Sequence, residues 1–272
     1  MVVTKAEGSE QSRAFSEIRL RRRTVLKEGL FYAEGEQVVK RLLHSNVEVV
    51  SMFMTPEYFD QFKEILEVRL SKSATVLLAD KISMEEKVLL KLNQGILALG
   101  KIPESIPPDE VIARDPLLLV ALDGIDHAVN VGTILRSCAA FDATAVLVDD
   151  RSAHPYSFRA IKASIGGVFF VPVIRCSSLP EILMRFRRVA DGRIIAADPA
   201  GTVAIESADF SGKLCLVLSN EHSGLSSQIL SLVPLRVSIP LSRKMDSLNV
   251  AAAAAIFLHR IQNVKTAASK TD

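Results

Sequence analysis

Two hydrophobic rhythms alternate along this chain. Phe31-Tyr32-Ala33 is a short apolar run that predicts a strand, and Gly35 to Ser45 predicts a helix with Val38, Val39, Leu42 and Leu43 on one face. Val47 to Met54 predicts a strand. Pro56 to Leu70 predicts an amphipathic helix burying Phe59, Phe62, Ile65 and Leu66. Thr75 to Ala79 and Gly95 to Leu99 predict two more strands, around a helix that starts near Ile82 with Ser83 as its cap. These alternating elements describe a small α/β domain over residues 13–102. Residues 1–12 are polar and predict a disordered tail. Residues 103–116 carry Pro103, Pro107, Pro108 and Pro116 among charges, and predict a stiff linker.

From Leu117 the pattern changes. Strands are predicted at Leu117–Leu122, Ala145–Val148, Val171–Ile174, Arg193–Ala197, Leu214–Leu218 and Arg236–Ile239. Helices are predicted near 130–141, 157–164, 179–190, 225–232 and 247–264. The strands are apolar at successive positions, so both faces are covered, as in a parallel sheet flanked by helices. This second domain spans residues 117–265, and 266–272 form a tail. No Gly-x-Gly-x-x-Gly follows its first strand, where Asp123-Gly124-Ile125-Asp126-His127 stands instead, so a plain dinucleotide-binding domain is excluded.

Composition changes the picture in a few places. A net charge of +2 over 272 residues indicates no partner, but residues 13–27 hold Arg13, Arg19, Arg21, Arg22, Arg23 and Lys27 against Glu17 alone. Such a patch suits RNA phosphates, and a solvated helix face is its plain alternative. Cys138, Cys176 and Cys215 are widely spaced and odd in number, so they read as reduced, buried thiols of a cytoplasmic protein. The longest apolar run, Leu248 to Leu258, is too short to cross a bilayer, so no membrane partner is expected. His44, His127, His154, His222 and His259 are scattered and give no metal-binding spacing.

Three strand-to-helix junctions concentrate the polar chemistry. The first is Asp123 to Ser137, with Asn130-x-Gly132-x-x-x-Arg136. The second is Leu218-Ser219-Asn220-Glu221-His222-Ser223-Gly224. The third is Ile239 to Val250, with Ser247-Leu248-Asn249-Val250. Strand ends of an open α/β sheet are where ligands collect. In this order and spacing the segments resemble the three motifs of the SpoU/TrmH family of RNA 2′-O-ribose methyltransferases, of the SPOUT superfamily, over residues 117 to about 264. The second motif departs from the family, which usually has Gly at the place of Ser219 and often Gly at that of His222. Phe31 to Glu36 and Gln94 to Leu99 more weakly resemble the substrate-binding domain that often precedes it, a ribosomal-protein-like fold.

The resemblance implies a C-terminal domain with a deep trefoil knot, S-adenosylmethionine as cofactor, a structured rRNA or tRNA as substrate, and a homodimer formed through the C-terminal domain. It implies cofactor contacts from Leu218, Ser219, Asn220, Gly224, Ile239, Leu241 and Leu248. It implies catalytic roles for Arg136, Asn130, Glu221, Ser247 and Asn249. Asn130 also reads as the cap of its helix, Ser247 as the cap of the last helix, and Glu221 as either a partner of Arg136 or an acceptor of backbone N–H groups. Neutralising an arginine at pH 7 costs about 7 kcal/mol. Arg136 therefore fits better as a clamp for phosphate and developing alkoxide than as a base. RNA contacts are expected from Arg19, Arg21, Arg22, Arg23, Arg159, Lys162, Arg243 and Lys244.

Two other readings compete. Ser219 and His222 leave room for a catalytically inactive RNA-binding protein of the same fold, which would bind RNA without cofactor. A hydrolase of the nucleophile-elbow type needs Gly-x-Ser-x-Gly, which this chain lacks.

Overall fold

The computed structural model describes residues 1–5, 22–72, 74–88, 92–242 and 244–268. In chain order the first elements are β1 (Val2–Lys5), α1 (Arg22–Lys27), β2 (Leu30–Glu34), α2 (Glu36–His44), β3 (Val49–Met54), α3 (Pro56–Arg69), β4 (Thr75–Leu78), α4 (Lys81–Val88) and β5 (Ile96–Lys101). There follow α5 (Pro108–Ile112), β6 (Leu118–Asp123), α6 (Ala128–Ala140), β7 (Ala145–Asp149), α7 (Phe158–Ser164), β8 (Val173–Cys176), α8 (Leu179–Ala190) and β9 (Arg193–Ala197). The last are β10 (Val203–Ala204), β11 (Leu214–Ser219), α9 (Ser227–Leu232), β12 (Leu235–Ser238) and α10 (Val250–Ala268). They divide into two compact units, Met1–Glu104 with Tyr156–Phe169, and Ser105–Pro155 with Phe170–Asp272.

The first unit is built on a mixed sheet of order β1-β4-β3-β5-β2. The apolar face read on α2 is buried as expected, through Val38, Val39, Leu42 and Leu43. On α3, Phe62 and Leu66 are buried while Phe59 and Ile65 are only half-buried. Two expectations are corrected. Val2–Lys5, expected in a disordered tail, pairs in parallel with β4, because an edge strand offers it a ladder of free backbone groups. The cap of α4 is Asp80, not Ser83. Asp80 Oδ1 accepts the Ser83 N–H at 3.0 Å and Oδ2 accepts its hydroxyl at 2.6 Å.

Residues 156–169, read from the sequence as part of the second domain, pack with the first unit. Phe31 stacks on Phe169 and lies against Tyr156, with ring centroids 5.3 and 5.6 Å apart. Arg41 Nη1 donates to the Ile165 carbonyl at 2.6 Å. Lys162 Nζ lies 3.0 Å from the buried Glu34 carboxylate.

The second unit carries a parallel sheet of order β10-β12-β9-β11-β6-β7-β8. Every residue of β6 and β7 is buried, which matches their unbroken apolar runs. Leu119, Ala121, Leu147, Cys215, Val217, Leu183 and Phe186 belong to one core. The expected linker contains α5. Pro108 stands in its first turn with Asp109 and Glu110, and Val111 and Ile112 join the core. Asp109 also pairs with Arg185 of α8. Cys138, Cys176 and Cys215 are free and buried, and burial raises all three thiols, Cys176 to about 11. Among the described residues no helix is long and apolar enough to cross a membrane, and no cluster of metal-ligating side chains occurs.

Candidate functional site

The sheet of the second unit changes direction between β6 and β11, with β7 and β8 on one side and β9, β12 and β10 on the other. Crevices at the carboxyl ends of strands near such a reversal are the natural ligand sites of open α/β sheets. A pocket lies on the β11 side of this reversal, at the ends of β9, β11 and β12 and against α10. Its space is about 720 Å³ including the open mouth, within the range of small-molecule sites. Apolar walls come from Leu218, Val237, Ile239, Leu241, Leu248 and Phe257. Ser219, Asn220, Glu221 and Ser247 supply polar groups.

The sequence placed most of this lining. Leu218, Ser219, Asn220, Gly224, Ile239, Leu241 and Leu248 all face the pocket, as do Glu221 and Ser247. It missed Ala197, Asp198 and Pro199 at the end of β9. The same signal was available, an apolar strand stopping at a polar, glycine-containing turn. Asp198 N donates to the Val237 carbonyl at 3.0 Å and Oδ2 accepts from Arg236 at 3.3 Å, so this turn is tied to β12. Gly201 is required beside it, since a Cβ there would sit 2.7 Å from the Arg236 carbonyl oxygen.

One asparagine joins the three motifs. Asn249 Nδ2 donates to Asn130 Oδ1 at 3.0 Å and to Glu221 Oε1 at 3.1 Å. Its own Oδ1 accepts the Ala251 N–H at 3.0 Å, so Asn249 caps α10. Glu221 Oε1 also accepts the Val250 N–H at 2.6 Å, which puts a carboxylate at the positive end of that helix. Three readings are settled by this geometry. Ser247 is not the cap, because α10 starts at Val250. Asn130 is not the cap of α6, whose first residue is Ala128; it lies inside the first turn. Glu221 accepts a backbone N–H instead of pairing with Arg136.

The loop after β11 is held by its own residues. Asn220 Oδ1 accepts the N–H groups of His222 and Ser223 at 2.9 and 3.3 Å, and Asn220 Nδ2 donates to Asp126 Oδ1 at 2.8 Å. Gly224 closes the turn at φ +65°, where a side chain would be strained. Ser219 ends β11 in register with Asp123 and is not among the residues of positive φ, so its side chain imposes no backbone strain. His222 is exposed and lies outside the pocket lining.

Arg136 is exposed on α6, makes no ion pair among the described residues, and does not line the pocket. Of the expected RNA contacts, Arg19, Arg21 and Arg243 lie outside the described residues, and so do the side chains of Arg22 and Arg23 in α1. Arg159 is exposed on α7 in the first unit, and Lys244 is exposed in the second. Lys162 is drawn to Glu34, because a buried carboxylate needs a countercharge.

The SpoU rRNA Methylase family model matches residues 117–259. The chain is 31% identical, over 233 residues, to an uncharacterised tRNA/rRNA methyltransferase of Mycobacterium tuberculosis, covering 84% of this chain and 78% of that one. Its fold is similar to that of the SpoU methyltransferase AviRb from Streptomyces viridochromogenes in complex with AdoMet, with TM-score 0.80, 22% identity and coverage of 95% and 100%. It is also similar to an RNA 2′-O ribose methyltransferase, with TM-score 0.72, 24% identity and coverage of 97% and 100%. Three motifs joined by Asn249 beside one pocket, and a family match across more than half the chain, lead to one assignment: this protein belongs to the SpoU rRNA methylase family.

Proposed function

We propose that this chain is an RNA 2′-O-ribose methyltransferase that uses S-adenosylmethionine and acts on rRNA or tRNA. The observation that carries the reading is the tie made by Asn249 between Asn130 and Glu221, beside a pocket formed by the second and third motifs. When bound, S-adenosylmethionine supplies an activated methyl group. The residues fit it: Leu218, Ile239, Leu241 and Leu248 offer apolar walls, and Ser219, Asn220 and Ser247 offer polar contacts. The described lining includes the carboxylates Asp198 and Glu221 and no Lys or Arg to oppose a sulfonium charge.

Arg136, charged and not ion-paired among the described residues, is proposed to stabilise the 2′-oxygen as it loses its proton and to hold the neighbouring phosphate. Asn130 and Asn249 orient the motifs, and no metal takes part. The first unit is proposed to grip structured RNA. The chain is proposed to act in the cytoplasm as a homodimer through its C-terminal domain; Val129 on α6 and Ile256 on α10, apolar yet exposed, support that interface. A trefoil knot is proposed for the C-terminal strands, supported by β12 lying between β9 and β10 and away from β11.

Two measurements test the reading. Calorimetry should detect S-adenosylmethionine binding without added metal, and chelation should leave activity unchanged. Ribose-methylation mapping of total RNA with and without the gene should show one or a few sites that vanish. Absence of cofactor binding together with an unchanged methylation map would overturn the proposal.

A further inference from the structure

Asp123 and Asp149 end the adjacent strands β6 and β7, and both are buried, at 2% and 7% exposure. Two carboxylates side by side at that depth repel each other unless a cation sits between them. Arg151 supplies it. Its Nε donates to Asp149 Oδ2 at 2.8 Å and its Nη2 donates to Asp123 Oδ1. The remaining oxygens hold loops. Asp123 Oδ2 accepts the Ser226 N–H at 2.7 Å, just beyond the pocket residues Gly224 and Leu225. Asp149 Oδ1 accepts the Gly124 N–H at 3.0 Å, and the Ser152 N–H and hydroxyl at 3.0 and 2.5 Å. Ser152 Oγ in turn accepts the Ile125 N–H at 2.9 Å. The clamp therefore fastens the loop leading to α6, which carries Asn130 and Arg136, and the loop that walls the pocket.

We infer that Arg151 is a positioning residue for the cofactor site: by neutralising Asp123 and Asp149 it lets Asp123 hold the Ser226 amide and keep the loop of residues 219–226 against the sheet. The inference rests on the proposed use of S-adenosylmethionine. Without Arg151, two buried carboxylates stand side by side with no cation between them. A proton then takes the place of the guanidinium as the pH falls. The imidazoles of His127, directly before α6, and of His222, exposed in the loop of residues 219–226, are common to the wild type and the variants, so the pH effect that counts is the one Arg151→Met adds to that of the wild type. Asp126 lies in the loop leading to α6, and Asp150 pairs with Arg175. Burial and the charges of Asp149 and Asp150 push the Cys176 thiol up to about 11. Burial and Arg175 push His154 down to about 4.

The test is S-adenosylmethionine binding by calorimetry at pH 8 and pH 6, with amide hydrogen exchange at Ser226, on full-length protein. Arg151→Met should bind about tenfold or more weakly at pH 8, the scale of one lost tie. It should recover part of the loss at pH 6 and lose protection at Ser226. The double variant Arg151→Met with Asp149→Asn should bind nearly as wild type at both pH values. Its amide keeps the acceptor for Gly124 and Ser152 while one charge is gone. Wild-type affinity and Ser226 protection in Arg151→Met at pH 8 would overturn the inference. So would an equal, pH-independent loss in the single and double variants, which would mark Arg151 as packing alone. If the wild type binds no S-adenosylmethionine, the cofactor reading fails by itself, and Ser226 exchange in the variants still decides the clamp.

Discussion

Arg136 and Asn249 have different jobs although both sit in the motifs. Arg136 is exposed and has no ion pair among the described residues, so its removal leaves no buried group unpaired. Arg136→Ala should keep the melting temperature and cofactor affinity, and lower kcat by about a hundredfold or more, as for loss of a transition-state charge contact. Arg136→Lys should stay nearly as poor if the planar fork holds a phosphate, and should recover if only charge is needed. Asn249 is structural as well as positional. Asn249→Asp keeps the acceptor that caps α10 but turns a donor toward Glu221 into a second carboxylate. It should therefore hold most of the cap's stability, about 1 kcal/mol, while cofactor affinity falls. Asn249→Ala should lose both. Thermal melts read against calorimetry separate the two effects. Ser219→Gly should change cofactor affinity by less than about threefold, because the serine backbone carries no left-handed strain to relieve; a larger loss would make the hydroxyl a contact.

At the scale of elements, α7 with the short turn Gly167–Phe169 behaves as part of the first unit. Its hold combines aromatic stacking on Phe31 with the Lys162–Glu34 pair. Lys162 is 46% exposed and Glu34 only 2%, so removing the lysine leaves the buried member without its countercharge. Lys162→Met should destabilise the protein by about 1–3 kcal/mol in chemical denaturation. Adding Glu34→Gln should return most of that, since the amide needs no countercharge. An unstable double variant would mean that the contact of the Lys162 ammonium with the Phe158 ring, 5.9 Å from the ring centroid, carries the effect.

For the whole molecule, two solution properties follow. Replacing Arg21, Arg22 and Arg23 by Ala should weaken RNA binding and lower the log–log salt slope by about one per lost phosphate contact, with cofactor affinity unchanged. His154 gives a stability signature. Burial, then the charge of Arg175, lowers it from 6.5 to about 4 in the folded protein. The unfolded chain therefore binds the proton first, and stability falls as pH drops from about 6.5 to about 4. His154→Gln should flatten that part of the stability-against-pH curve. An unchanged curve would show that the titration lies elsewhere.

Periodicity placed most elements to within a few residues but not β1, α5 or β10, because unbroken apolar strands and helices with apolar positions three to four apart leave few alternatives, whereas these three short elements carry no such pattern. The motifs, read by resemblance, named the lining of the pocket. The strand end at Ala197 carried the same signal and was passed over, since Asp198-Pro199 has no feature beyond a turn. Other facts belong to no local stretch of sequence. That Val2–Lys5 pairs with β4, that Val111 and Ile112 leave an expected linker for the core, and that residues 156–169 join the first unit depend on partners far away in the chain. The caps were decided the same way. Asp80 and Asn249 outcompeted Ser83 and Ser247 because tertiary packing fixed where each helix begins. Local sequence sets which residues want burial or a hydrogen bond. Which distant group meets that want, as Asn249 meets Asn130 and Glu221, is fixed only when the sheet brings its strand ends together.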